Sequence, residues 1–234
     1  MTIDLVPIDS APVDSAVALL RGMVHDHAPV GFACSFSIED AVLLHLIAAH
    51  GIDIRVFTLD TGRLPPETLT VMDAVAARYG IAVQVFRPDA AALAQSAVGK
   101  APDSIFDSRA ARQECCRLRK VEPLARALAG LGGWITGQRR EQSSTRHDLP
   151  LLEWDAGNGL HKANPLADWT TAAVWSFVRD NDIPYNRLYD RFYASIGCAP
   201  CTRPIAAGED LRAGRWWWEN PEHRECGIHR RAHA

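Results

Sequence analysis

The 234-residue sequence predicts an α/β fold: a doubly wound, mostly parallel sheet with helices on both faces, plus an irregular C-terminal segment. Three observations carry this expectation. Short apolar runs alternate with stretches of helical periodicity from residue 28 onward. Polar turns follow three of those runs, where an open parallel sheet presents its ligand edge. After Pro184 the periodicity lapses and Tyr, Cys, Trp and Arg accumulate.

Each element has its own signal. "APVGFACSF" (28–36) reads as a buried strand and "SIEDAVLLHLIAAHG" as a helix ending at Gly51. "IDIRVFTLD" (52–60) is a second strand. "PPETLTVMDAVAARYG" is a helix with prolines at its start and glycine at its end. "IAVQVFRP" (81–88) is a third strand, "ECCRLRKVEPLARALAG" a helix, and "GGWITGQ" (132–138) a fourth strand. "LPLLEW" (149–154) and "GLHKANPL" (159–166) predict an edge hairpin. "DWTTAAVWSFVRDNDI" (168–183) predicts an amphipathic helix with Asp168 as its N-cap candidate.

Bulk properties narrow the function classes. A hydrophobic content of 47% and a formal charge of −3 describe an ordinary globular chain, and no apolar run is long enough to predict a membrane span. The N-terminus lacks a basic region followed by an apolar core and does not read as a secretory signal. The expectation is a cytoplasmic protein with reduced cysteines. The whole chain, 1–234, reads as one domain, with 202–234 as a mobile C-terminal tail. Between Ser108 and Arg146 nine Arg/Lys face three Glu, a local balance of +6. That cluster is either a solvated face or a pocket for a small anion; a duplex-binding surface fits poorly with a mildly acidic remainder.

Four constellations can carry chemistry. "SFSIED" (35–40) joins a strand to a helix, and Ser35 and Ser37 offer hydroxyls beside a helix N-terminus; Ser37 is equally a plain N-cap. "LDTGRLPPET" (59–68) repeats the arrangement, with Asp60 and Thr61 able to hold a ribose or base edge and Gly62 allowing close backbone approach; a ligand-free turn is the bland alternative. "TGQRREQSSTRHD" (136–148) gathers Arg139, Arg140 and Arg146 beside two serines, which suits sulfate or phosphate oxygens better than a solvated loop. The fourth is the cysteine set: Cys115-Cys116, Cys198-Ala-Pro-Cys201 and Cys226, with Cys34 in a core strand pattern. Two pairs make four thiolates, enough for tetrahedral zinc or an iron–sulfur cluster. Adjacent helical cysteines project about 100° apart, which favours the separate corners of a cluster over one ion. Cys226 is then a nucleophile near Arg and His, or a spare surface thiol.

Taken together and in order, "SFSIED", "LDTGRL", "GQRREQS", "ECCRLRKVEPL", "GCAPCTRP", "RAGRWWWE" and "ECGIH" resemble the assimilatory adenylyl-sulfate (APS) reductases, the iron–sulfur branch of the PAPS/APS reductase family, relatives of the PP-loop ATP pyrophosphatases. The resemblance runs from about Gly31 to His229. It implies a [4Fe–4S] cluster on Cys115, Cys116, Cys198 and Cys201, and thiol-dependent reduction of APS to sulfite and AMP in sulfate assimilation. It implies catalytic roles for Cys226 as nucleophile and for Lys120, Arg212, Arg215 and His229. Substrate contacts are implied for Ser35, Phe36, Ser37, Glu39, Asp40, Leu59, Asp60, Thr61, Gly62, Arg63, Gly137, Arg139, Arg140 and Arg146. The implied partner is thioredoxin or a similar thiol donor, with no nucleic acid or membrane, and with a homo-oligomer left open. PAPS reductases generally lack both cysteine pairs, which points to APS. PAPS reduction, a PP-loop tRNA-thiolation enzyme and a non-catalytic metal-binding module are the alternatives; "SFSIED" lacks the Gly-Gly of an ATP-pyrophosphate loop.

Overall fold

A computed structural model describes residues 10–143, 146–220 and 227–228. Six strands form one sheet: β1 (Val30–Ala33), β2 (Arg55–Leu59), β3 (Gln84–Phe86), β4 (Gly133–Ile135), β5 (Leu152–Asp155) and β6 (Leu160–Ala163). Their order is β3-β2-β1-β4-β6-β5, and every pairing is parallel except β5 with β6. The expected hairpin forms, but only β5 is an edge. β6 also pairs in parallel with β4, Gly133 facing His161 and Ile135 facing Ala163. Burial explains the difference: β6 is covered on both faces, whereas Leu152 and Trp154 of β5 are exposed.

Eight helices accompany the sheet among the described residues: α1 (Ser10–His27), α2 (Ile38–Ala49), α3 (Pro66–Tyr79), α4 (Ala90–Gln95), α5 (Ala97–Lys100), α6 (Arg109–Cys116), α7 (Glu122–Leu128) and α8 (Thr171–Asp180). α2 is buried from Ile38 through Ile47, which its nearly all-apolar sequence requires, and it packs against α1, α3 and α8. Across the sheet, α7 covers β2 and β3, and Leu124 and Leu128 join Phe57, Trp134 and Leu160.

Two helix expectations are corrected. The stretch after Cys115 is not one helix: α6 passes into a π-helical turn, Arg117–Val121, before α7 begins. Pro123 has no N–H to continue the i→i−4 ladder, and Glu122 N–H instead reaches back five residues to the Arg117 carbonyl. Asp168 does not cap α8. Thr170 does, accepting from Ala173 N at 3.1 Å, while Asp168 pairs with Arg140.

The chain leaves β1 toward β2 on one side, and β4 lies on the other. The β1–β4 crevice at the carboxyl ends is therefore the topological switch point, where open sheets bind ligands.

Candidate active site

A cleft of about 590 Å³ opens at that switch point, large enough for a nucleotide. The turn after β1 forms its first wall. Ser37 caps α2, its hydroxyl accepting from Asp40 N at 3.4 Å, so the plain capping role holds. Asp40 folds back to accept from Ser35 N at 2.6 Å and Ser35 Oγ at 2.7 Å. Burial pushes the Asp40 carboxyl up to about 7, against the lowering pull of those Ser35 donors. Ile38 N donates to the Tyr189 hydroxyl at 3.1 Å, closing the turn from the far side. Phe36, at φ 59°, is buried in the core and does not line the cleft.

The loop after β4 meets this turn. Gly137 lets the two turns approach closely: a Cβ there would lie 2.3 Å from Asp40 Oδ1 and displace that carboxylate. Arg139 lines the cleft, yet its guanidinium is committed: Nε and Nη2 each donate to Glu39 Oε1 at 3.0 Å, Nη1 to the Trp169 carbonyl at 2.9 Å. Both partners of that ion pair are buried. Arg140 points elsewhere, to the Leu149 carbonyl and Asp168, and only Arg146 of the three lines the cleft beside Arg139.

The loop after β2 faces the other way. Leu59 and Thr61 line the cleft; Asp60, Gly62 and Arg63 do not. Asp60 is held by Arg87 at 3.0 Å. Thr61 Oγ1 lies 3.2 Å from Cys198 Sγ, Arg119 Nη1 donates to the Thr61 carbonyl at 2.6 Å, and Ala199 N donates to the Arg63 carbonyl at 2.8 Å. The β2 loop is thereby tied to the cysteines.

Those cysteines form a second, smaller cavity. Cys115 and Cys116 end α6, and Cys198 and Cys201 flank a 3₁₀ turn; all four are buried, free thiols packed with Leu118, Ile105 and Trp216. Arg63, Arg112, Arg119 and Lys120 also line it. Burial raises the Cys198 thiol, but Lys120, the Thr61 hydroxyl, Arg215 and Arg63 together bring it below the ordinary thiol value. Burial, then the neighbouring Cys198, pushes Cys201 up to about 11. Among the described residues no group of three His, Cys, Asp or Glu is arranged to hold a single metal ion. The donor set nevertheless suits a larger acceptor-rich group: Arg119 Nε and Trp216 Nε1 are buried, have no hydrogen-bond partner among the described residues, and belong to side chains lining this cavity.

Lys120 lines both cavities, as does Trp216. Arg212 and Arg215 line the cleft from the C-terminal segment. Of the expected tail, residues 202–220 pack onto this site: Thr202 bridges Arg215, Arg203 N donates to the Gly214 carbonyl, and Trp216 is 1% exposed. Cys226 and His229 lie outside the described residues. Ile228 lines the cleft and packs against the core cluster holding Phe57 and Leu124. Sequence reasoning overlooked Tyr189, Arg119 and the Arg112–Glu219 pair. Arg119 was findable, being next to Lys120 in a cysteine-bearing stretch; the others depend on tertiary approach.

Comparisons with known proteins agree with this geometry. The family model for the phosphoadenosine phosphosulfate reductase domain matches residues 29–204. The adenosine 5′-phosphosulfate reductase of Allochromatium vinosum is 52% identical over 220 residues, covering 94% of this chain and 86% of that protein. The enzyme of the same name from Neisseria meningitidis serogroup B is 48% identical over 212 residues, covering 90% and 86%. The crystal structure of phosphoadenylyl-sulfate (PAPS) reductase from Candida auris, a phosphate complex, superimposes with a TM-score of 0.69 at 27% identity, covering 86% of this chain and all of that one. No described helix is long and apolar enough to cross a membrane.

Proposed function

The chain belongs to the phosphoadenosine phosphosulfate reductase family, and from that premise we propose that it is an adenylyl-sulfate reductase, converting APS to sulfite and AMP at the expense of a dithiol donor. The observation that carries this reading is Lys120, whose side chain borders both the nucleotide-sized cleft and the four-cysteine cavity.

The Cys226 thiolate attacks the sulfur of APS. The bond from that sulfur to the bridging oxygen breaks, AMP leaves with the electron pair, and the cysteine carries an S-sulfonate. A donor thiolate then attacks Cys226 Sγ, and the sulfur–sulfur bond to the sulfonate breaks with its electron pair leaving as sulfite. The donor's second thiol resolves the mixed disulfide, so two electrons pass from the dithiol and Cys226 is restored. An external donor follows from the inventory: four of six cysteines share one buried site, and Cys34 is 3% exposed, its thiol pushed well up by burial and then by nearby Asp40. Thioredoxin or a similar protein fills that role.

The chemistry brings a thiolate toward an anionic sulfonyl group, so cations must offset the repulsion and stabilise the leaving phosphate. Lys120, Arg212, Arg215 and Arg146 supply them, and His229, three residues after Cys226 in sequence, is assigned a catalytic role with it. Ser37 offers its hydroxyl proton to the acidic end, while Ser35 borders the cleft with its hydroxyl donated to Asp40. Leu59 and Thr61 border the nucleoside. Glu39 and Asp40 act indirectly, by holding Arg139 and Ser35. Cys115, Cys116, Cys198 and Cys201 would hold the [4Fe–4S] cluster, which supplies a rigid multi-iron anchor and local electrostatics while the thiols carry the electrons. The presence of both cysteine pairs supports APS over PAPS, and the setting is cytoplasmic sulfate assimilation.

The test is sulfite release from APS and PAPS side by side, with a reduced dithiol protein as donor. Sulfite from APS with far less from PAPS is expected. Release from PAPS alone, or from neither, overturns the proposal.

A further inference from the structure

Phe192 stands exposed on the rim of the cleft, and we propose that it anchors the docking surface for the dithiol protein that releases sulfite. This rests on the reading that such a donor attacks the Cys226 adduct.

The fold gains little from Phe192. The residue is 75% exposed and belongs to none of the hydrophobic clusters. Its φ of 65° also lies in the left-handed region that bulky residues rarely enter. An outlier of this kind persists only where its surroundings over-determine it, and it points to function. Here the support is the short 3₁₀ turn Tyr189–Arg191, which Phe192 ends. Phe192 N donates to the Tyr189 carbonyl at 3.2 Å, and Ile205 N donates to the Phe192 carbonyl at 2.9 Å. The turn is itself fastened to two helices. The Tyr189 hydroxyl accepts from Ile38 N of α2, and Arg191 pairs with Glu67 of α3. The ring is thus held outward from a fixed base.

Its place decides the occupant. Of the large hydrophobic side chains exposed among the described residues, only Phe192 lines the cleft. Half-buried Ile205 and exposed Ala206 and Ala207 line it too. Exposed charged residues, Arg187, Asp190, Arg191 and Glu209, flank these apolar positions along the chain. An apolar centre within a charged rim is the anatomy of a protein interface. APS and its products are small, and the donor is the one macromolecule the reaction brings to this cleft. Its thiolate must reach Cys226 Sγ while its body stays outside. Ile228, two residues after Cys226, lines the same cleft, so a protein delivering that thiolate meets the rim. An aromatic anchor on a rigid support gives affinity there without the loss of ordering a flexible one. Stacking on the adenine is the competing use of such a ring, and the two uses respond to different measurements.

The test gives the cluster-loaded chain two donors, reduced thioredoxin and dithiothreitol. Phe192→Gly suits a φ of 65° and is expected to keep the thermal midpoint of the parent. Phe192→Asn is the second variant, since Asn also enters this region. Both should raise the KM for reduced thioredoxin about 5- to 30-fold, with the KM for APS and the rate with dithiothreitol within about two-fold of the parent. An unchanged KM for thioredoxin overturns the inference. So does a rise in the KM for APS, which would give the ring to the substrate, or an equal loss with dithiothreitol. Unfolding of both variants would make the ring structural and overturn it as well. If the parent forms no S-sulfonate from APS, the underlying reading fails, and the docking claim with it.

Discussion

The arginines of this site differ by what already neutralises them. Arg139 is 2% exposed and bound to buried Glu39, so Arg139→Ala strands a carboxylate in the core. A loss of about 3–5 kcal/mol in unfolding free energy is expected, read from denaturant midpoints. Arg146 lines the cleft and is bonded to Gln142, and Arg146→Ala is expected to raise the KM for APS, read from steady-state kinetics. Lys120 borders both cavities and should matter most for the chemical step. Lys120→Ala is expected to lower kcat/KM about 10²- to 10³-fold with little change in adenosine affinity. The motif "GQRREQSSTR" could not rank its three arginines, because their difference lies in Glu39 and Asp168, distant in sequence. The cysteine pairs were legible because spacing and count alone restrict four thiols to a few chemistries.

At the scale of elements, strands and helices followed from apolar runs and from glycine and proline punctuation. What was not legible depended on partners: β6 is internal because β4 and β5 flank it, and the turn after Cys116 widens because Pro123 lacks an N–H. The central helix α2 carries a further consequence. His45 within it is fully buried beside Tyr79, and burial, then Arg78 and His50, lowers its pKa to about 4. A depressed histidine stabilises the fold fully above about pH 6.5 and loses that contribution as pH falls toward 4, up to about 3 kcal/mol. Asp40, raised to about 7, has the opposite sign over much of that window, since the folded state holds its proton more tightly. The two are separable by substitution. His45→Asn should remove the acid-side loss, so the stability gap between variant and parent should shrink from pH 7.5 to pH 5. A gap independent of pH would contradict the histidine account.

For the whole molecule, the organising feature is two cavities sharing a wall. The open sheet builds the cleft at its switch point, and α6 with the Cys198–Cys201 turn builds the thiol site behind it. Thr61, Lys120 and Trp216 join them, so a group held by the cysteines would order the cations proposed to meet the substrate. Removing iron with a chelator is accordingly expected to weaken APS binding more than adenosine binding. The most direct test of the central claim is a single turnover followed by intact mass. The cluster-loaded chain, given APS without a thiol donor, should gain one sulfonate per chain on Cys226 and release one AMP. Reduced dithiol should then remove that sulfonate as sulfite, and Cys226→Ser should form no adduct while keeping the visible absorption of the cluster. An adduct on another cysteine, or one that survives in Cys226→Ser, would contradict the account.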